Sequence, residues 1–567
     1  MKVFSRALLA VLTVVSVASF AAAQTIPTGT FKHIIIVIQE NRTPDNLFGA
    51  GAGSSSKCVI HEDPFEPGVD IVNGGQSHVD GTICSVQQPM NTPTLDPGHF
   101  YHDWAADYDS GAMDGFCHTY TNGKTTYVRC PTSQPSPYSY IQLPDVQPYF
   151  DIAKAYGFAN YMFQTNEGPS FPAHQFLFTG TSAPVAPKDA NHYYIDFVAD
   201  NPPKSAGFNN SGCPASGIDG YPMWNLPTGV QETDPRTQPN ECYTHDSLVT
   251  NANGDKGVSW RYYTPTVSNP SNPLGIIWDA PEGIPEVCYG QNEATGNPCS
   301  GSEFTSHVVY PEENQFGFNY DGAPILDDIA TCSLQKISWV IPDEAWSDHP
   351  FSNVNNSPPY GPSWVGNIIN AIGQSYANSG GKCDYWGFGT GSTSPEPTAI
   401  FVVWDDWGGF FDHVAPPEAL EENPQTGYTS CDPNSQWGCG YVYGMRVPLM
   451  VVSEYTPAGY VSGAFPSPGK TFPYVHDFGS ILRFAEFNFG MGLVYPLTNY
   501  YADANAPDGA EGNTPLSDFF NTSTPRGFTT ISTPYPPSKF RNYYTTPQNG
   551  VYPTPTGPDG SPGEEDD

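Results

Sequence analysis

Three apolar stretches of this 567-residue chain run straight into paired side chains that can bind a cation. "HIIIVIQ" ends in Glu40-Asn41, "TAIFVVW" in Asp405-Asp406, and "KISWVIP" in Asp343-Glu344, with His349 a short way beyond. Carboxylates gathered at one place repel unless they are protonated or share a cation. An oxygen-rich set suits one divalent ion and leaves Ca, Mg, Mn, Zn or Fe open. A nucleophile candidate stands in "TNEGPSFPAHQFLFTGT", where Gly168-Pro169-Ser170 turns into a helical pattern. A helix start places the Ser170 hydroxyl near backbone N–H groups that favour anions. Metal coordination would activate that hydroxyl as a nucleophile. Each feature also has an ordinary reading, an acid pair opening a solvated loop or a serine capping a helix. The repetition at strand ends favours a site.

The elements that must position these groups follow from hydrophobic pattern. Residues 31–38, 336–341, 398–404 and 447–452 are continuous apolar runs, the pattern of strands buried on both faces of a parallel sheet. Helices are expected at Val146–Tyr156, Trp364–Ala377 and Phe478–Phe487. Strands alternating with helices predict an α/β fold, a three-layer sandwich around a mostly parallel central sheet. In such sheets ligands sit beyond the carboxyl ends of the strands, so acid pairs far apart in the chain can converge. Residues 184–312 change character, rich in Pro, Gly, Asn and Asp, and read as a loop-rich insertion lying over the sheet.

Composition bounds the partners. The net charge is −37, with only 21 Lys and Arg against 58 Asp and Glu, which argues against binding nucleic acid through its phosphates. An anionic substrate must therefore meet a local positive centre. Residues 1–23 read as an export signal: Lys2 and Arg6, an apolar run from Ala7 to Phe20, then Ala21-Ala22-Ala23 before Gln24. No later run is long and apolar enough to span a membrane, so the expectation is a secreted or periplasmic chain without a transmembrane segment once matured. The 12 cysteines fit an oxidising compartment. Cys117/Cys130, Cys288/Cys299 and Cys431/Cys439 stand close enough in sequence to close short loops, although spacing does not fix connectivity. The working domain is expected over 24–540, with 541–567 a disordered acidic tail.

The ordered blocks resemble the phosphoesterase family of non-specific phospholipases C and secreted acid phosphatases, related to the alkaline-phosphatase superfamily. "ENRTPDNLFG" at 40–49, "GPSFPAHQFLFTGT" at 168–181 and "DDWGGFFDHVAPP" at 405–417 carry the likeness, the last nearly complete. Shorter matches are "DPGHFYHDW", "GAMDGF", "SDHP", "GMRVPLMVVS" and "HDFGSILRFAE". The resemblance implies a metal held by Glu40, Asn41, Asp405 and Asp406, with Ser170 as nucleophile beside it and itself a ligand. It implies that His99 and His349 contact the phosphoryl group or move protons, on a phosphomonoester or a phospholipid headgroup. Three positions depart from the family pattern: Pro44 replaces Phe, Asn46 replaces His, and Ala173-His174 replaces Asn-Arg. His174 is expected to take over substrate grip from the missing arginine. His413 in "FDHV" is expected either to pack or to support the site. The departures also leave open a catalytically inactive phosphate- or surface-binding protein of the same fold. Two motifs are decoys or rivals: "GAGAGSSSK" lacks the phosphate-loop spacing, and Asn41-Arg42-Thr43 is a glycosylation sequon whose use would exclude Asn41 from a metal.

Overall fold

The computed structural model describes residues 25–543 apart from 53–63, 93–94, 122, 134–135, 183–196, 202–221, 226–229, 234–246, 250–257, 265–274, 290–298, 310–311, 314–319, 322, 351–357, 418–442, 465–473 and 495–500. The expected export signal and nearly all of the acidic tail lie outside the described residues, as does the Cys431/Cys439 pair. A short helix, Pro537–Arg541, runs into the start of the expected tail.

Among the described residues eight strands build the central sheet: β1 (His33–Gln39), β2 (Gly157–Ala159), β3 (Trp260–Tyr263), β4 (Val308–Val309), β5 (Ile337–Val340), β6 (Thr398–Trp404), β7 (Leu449–Val452) and β8 (Tyr460–Ser462). Their spatial order is β4-β3-β5-β1-β6-β7-β2-β8. All neighbours are parallel except β7, which runs against both β6 and β2. Every residue of β1 and of β6 is buried, as expected for strands covered on both faces. Alternate residues show what covers them. The Phe401 ring lies 5.1 Å from Phe484 on the helix Phe478–Phe489, whereas Trp404, of opposite parity, lies 5.0 Å from Tyr149 on the helix Leu143–Ala155. Helices therefore pack on both sides, and the three-layer α/β expectation holds.

The register decides where the polar pairs emerge. Gln39 pairs with Trp404 across β1 and β6, and the Asp405 N–H donates to the Gln39 carbonyl at 2.9 Å. Glu40 and Asp405 thus leave the sheet side by side. The expected 364–377 helix is divided at Gln374 into Gly361–Gly373 and Ser375–Asn378. The 184–312 segment does more than lie over the sheet, because its apolar "WRYY" and "VV" form β3 and β4 inside it. Aromatic and β-branched residues at those positions suit a half-buried pleated surface. Disulfides join Cys117–Cys130, Cys288–Cys299 and Cys332–Cys383.

Candidate metal and nucleophile site

Glu40 and Asn41 follow β1 directly, and Asn41 takes a left-handed φ of 58°, which Asn tolerates better than most residues. That turn aims its N–H at Asp405 Oδ1, 2.9 Å away. The 405–409 loop answers with tight backbone contacts: the Asp406 N–H donates to Asp405 Oδ1 at 2.7 Å and the Gly408 N–H to Asp406 Oδ1 at 2.7 Å. Gly408 has φ 60°, and a Cβ there would lie 2.5 Å from the Asn41 carbonyl oxygen. Only glycine lets the two loops approach so closely.

Ser170 is the first residue of the ten-residue helix Ser170–Thr179, and its hydroxyl donates to Asp406 Oδ2 at 3.1 Å. One turn later on the same face, His174 Nε2 lies 3.1 Å from Glu40 Oε1 and 3.8 Å from Asp405 Oδ2. One ligand atom from each of Glu40, His174 and Asp405 falls within 4.8 Å of the other two. His174 was expected on the substrate side; it stands instead against the carboxylates that would hold the ion. Burial pushes its imidazole down to about 4 despite Asp405 beside it, so it is neutral and able to act as a ligand. Burial, and then Asp405, push the Asp406 carboxyl up to about 8.

This donor set fits a divalent ion. Glu40, Asp405 and Asp406 are all fully buried, and buried carboxylates need a cation or a proton. Asn41 Oδ1 and Asp405 Oδ2 have no hydrogen-bond partner among the described residues. The orientation of the Asn41 amide follows from His99. His99 Nδ1 must donate to the Pro97 carbonyl, 2.9 Å away, so in the neutral ring Nε2 accepts from Asn41 Nδ2 at 3.1 Å. That contact turns Asn41 Oδ1 the other way.

The two remaining expected histidines stand together. The rings of His99 and His349 lie 6.2 Å apart, and Trp278, from the 184–312 segment, lies 6.2 Å from His349. In the third acid pair Asp343 is used locally: its Oδ1 accepts the Ala345 N–H at 2.9 Å and caps a turn. His413 packs between Asp45 (2.7 Å) and Asp70 (3.2 Å), beside Arg446, whose guanidinium reaches Asp412 at 2.9 Å and Asp45 at 3.2 Å. This buried ionic group ties the segment after Glu40-Asn41 to the segment after Asp405-Asp406. Pro44 occupies the first position of the helix Pro44–Phe48, capped by Thr43, where a missing N–H costs nothing. Asn46 donates to the Ser139 carbonyl at 2.8 Å and takes a structural place.

Sequence reasoning did not anticipate several neighbours. Asn201 Oδ1 accepts the Phe171 N–H at 2.9 Å, at the start of the Ser170 helix. His118 lies between Asp103 (2.8 Å) and Asp107 (3.4 Å), and Asp107 in turn accepts the Trp407 indole N–H at 2.9 Å, next to Asp406. Burial opposes the His118 charge, but Asp103 and Asp107 outweigh it and raise the imidazole to about 10. Its folded pKa thus exceeds the unfolded value near 6.5. The stability it contributes is complete below about pH 6.5 and fades as pH rises towards 10. His118→Gln is therefore expected to cost on the order of 3 kcal/mol at pH 6 and far less at pH 10, read by urea unfolding at both. An equal cost at both would contradict a charged His118.

A Ser–His–Asp arrangement elsewhere invites a catalytic reading: Ser462 Oγ to His476 Nε2 at 2.7 Å, and His476 Nδ1 to Asp508 at 2.7 Å. Ser462 and His476 are fully buried, and the Ser462 hydroxyl donates to Asp518. Burial lowers the His476 pKa, but Asp508 and Asp518 raise it by more, and the group serves as a buried ionic cluster.

Comparison with known proteins adds an independent line. The chain is 23% identical over 486 residues to a non-hemolytic phospholipase C of Pseudomonas aeruginosa, covering 81% of this chain and 54% of that protein. It is 26% identical over 330 residues to a non-hemolytic phospholipase C of Burkholderia pseudomallei, and 26% over 269 residues to phospholipase C B of Mycobacterium tuberculosis. These cover 51% and 47% of this chain, and 41% and 43% of those proteins. The chain thus spans about half the length, or less, of these relatives. A solved protein of the alkaline phosphatase superfamily from Vibrio parahaemolyticus aligns with 83% of this chain and 69% of its own, at 8% identity and a TM-score of 0.31. The family model described as the Phosphoesterase family matches residues 31–381 and 387–492, most of the sequence, and the chain belongs to that family.

Proposed function

We propose that this chain is a divalent-metal-dependent phosphoric-ester hydrolase with Ser170 as its nucleophile. The observation that carries the reading is the 3.1 Å contact of Ser170 Oγ with Asp406, beside the Glu40–His174–Asp405 cluster. Glu40, His174 and Asp405 would hold the ion, with Asn41, Asp406 and Ser170 at its side. A bound divalent ion supplies positive charge that lowers the serine pKa and balances charge on the phosphoryl oxygens.

The chain's own groups supply the rest. Asp406 Oδ2 is the acceptor within reach of the Ser170 proton. The serine oxygen bonds to phosphorus while the bond to the leaving alcohol breaks, and His349 gives that alcohol its proton, with His99 held beside it by Asn41. Water then cleaves the phosphoseryl intermediate and regenerates Ser170. Charge stabilisation in a dry site is usually the largest contribution to such a step, and the burial of the cradle supports it.

The substrate class is a phospholipid headgroup ester or a small phosphomonoester. The phospholipases C among the relatives favour the first. Trp278 beside His349 supports a role for the 184–312 segment on the leaving-group side. Export beyond the cytoplasm is part of the same reading: disulfides are formed, and no helix of the described residues is long and apolar enough to cross a membrane.

Purified protein assayed on p-nitrophenyl phosphate and on phosphatidylcholine, with and without chelator, tests the proposal. Turnover of at least one substrate is expected, lost with chelator and restored by a divalent ion. Metal-replete protein that turns over neither would overturn it.

A further inference from the structure

We infer that Asp348 is a positioning residue that fixes His349 relative to the Glu40–Asp405 cradle, and that protonation of the leaving alcohol depends on it. The inference rests on the functional reading above and adds to it a group that touches no substrate.

The geometry is unusual in what it joins. Asp348 is fully buried. Its N–H donates to Gln39 Oε1 at 3.0 Å, and its carbonyl accepts the Arg42 Nε–H at 2.8 Å. Its carboxylate Oδ2 accepts the Tyr149 hydroxyl at 2.6 Å and the Trp404 indole N–H at 3.1 Å. Gln39 precedes Glu40, Arg42 follows Asn41, and Trp404 precedes Asp405. One residue is therefore bonded to the chain on both sides of Glu40-Asn41 and to the residue before Asp405. The next residue along is His349, whose ring faces His99.

The carboxylate has no need to be here for packing. A buried carboxylate carries a desolvation penalty of several kcal/mol, and an apolar side chain of similar size would fill the space at lower cost. Burial pushes the Asp348 carboxyl up to about 7, opposed by Tyr149, Arg42 and Trp404. The fold also makes room for it: a Cβ on Gly361, the first residue of the helix Gly361–Gly373, would lie 2.0 Å from Asp348 Oδ1. The carboxylate so sits at the positive end of a four-turn helix, which favours its charge.

A structural role and a positioning role differ in leaving-group dependence. A misplaced proton donor harms esters of poorly acidic alcohols far more than esters of a good leaving group such as p-nitrophenol. Asp348→Leu, which removes the acceptor for Tyr149 and Trp404, is expected to lower kcat on an alkyl phosphate by about 10²-fold and on p-nitrophenyl phosphate by less than about threefold, with bound metal unchanged. His349→Asn should show the same selectivity, and the double variant should be no worse than His349→Asn alone, because residues acting as one unit are not additive. If Asp348→Leu does not fold, Trp404→Phe removes a single donor and should shift selectivity in the same direction by a smaller factor. Equal losses on both esters, or additive losses in the double variant, overturn the proposal while leaving the functional reading intact. Absence of any turnover by the unaltered metal-replete protein overturns both.

Discussion

Ser170→Ala is expected to lower kcat by at least about 10³-fold on every ester the protein hydrolyses, because removing a covalent nucleophile leaves only binding and charge stabilisation. Acid-quenched wild-type enzyme should carry phosphate on a serine, and the variant should not. Stability should change little. Among the described residues the Ser170 side chain makes a single hydrogen bond, to Asp406, worth about 1 kcal/mol. Glu40, His174 and Asp405 do not depend on it, so metal content should persist. The experiment therefore separates chemistry from assembly. A variant within tenfold of wild type would remove Ser170 from the mechanism, and a water attacking phosphorus directly would take its place.

Asp405→Asn should move function and stability in opposite directions. Oδ1 of Asp405 accepts the Asn41 and Asp406 N–H groups at 2.9 and 2.7 Å, and an asparagine carbonyl can keep both. Oδ2 faces His174 at 3.8 Å, and an amide NH2 there cannot ligate a cation. Metal content and kcat should each fall by about 10²-fold or more. The metal-free variant should nevertheless melt above metal-free wild type, because one of three adjacent buried carboxylates has been neutralised. Function and stability trade against one another at such sites. Elemental analysis, a phosphatase assay and thermal melts with and without chelator read all three quantities. A variant that holds its ion as wild type does would take Asp405 out of the ligand set.

The sequence made the strand ends readable and left their surroundings dark, for physical reasons. β1 and β6 are continuous apolar runs ending in polar pairs, and the Thr398–Trp404 strand falls at its expected bounds. Pattern and burial agree there because both faces are covered. The direction of β7 was not readable: "LMVV" is equally apolar either way, and its antiparallel pairing with both neighbours shows only in the sheet. The Asp343-Glu344 pair looked like the other two. It differs because β5 ends in a short turn that uses Asp343 locally, a choice invisible in residue types. His174 was assigned by analogy to the arginine it replaces. Its true neighbours depend on one helical turn from Ser170 and on the loop carrying Glu40, a three-way meeting that spacing along the chain does not encode. Asp348 was missed because "SDHP" drew attention to its histidine. The signal for Asp348 lies in Gln39, Arg42 and Trp404, which adjoin Glu40, Asn41 and Asp405.

The Asn41–Asp405 hydrogen bond joins residues 364 positions apart, and that separation has a consequence for biosynthesis. A polypeptide that emerges amino end first exposes Glu40 and Asn41 long before Asp405 and Asp406 exist. Loop closure over so long a span is slow and comes late. No nascent or prematurely terminated chain that stops short of Asp405 can assemble the cradle, so the site stays unbuilt until synthesis has passed the Thr398–Trp404 strand.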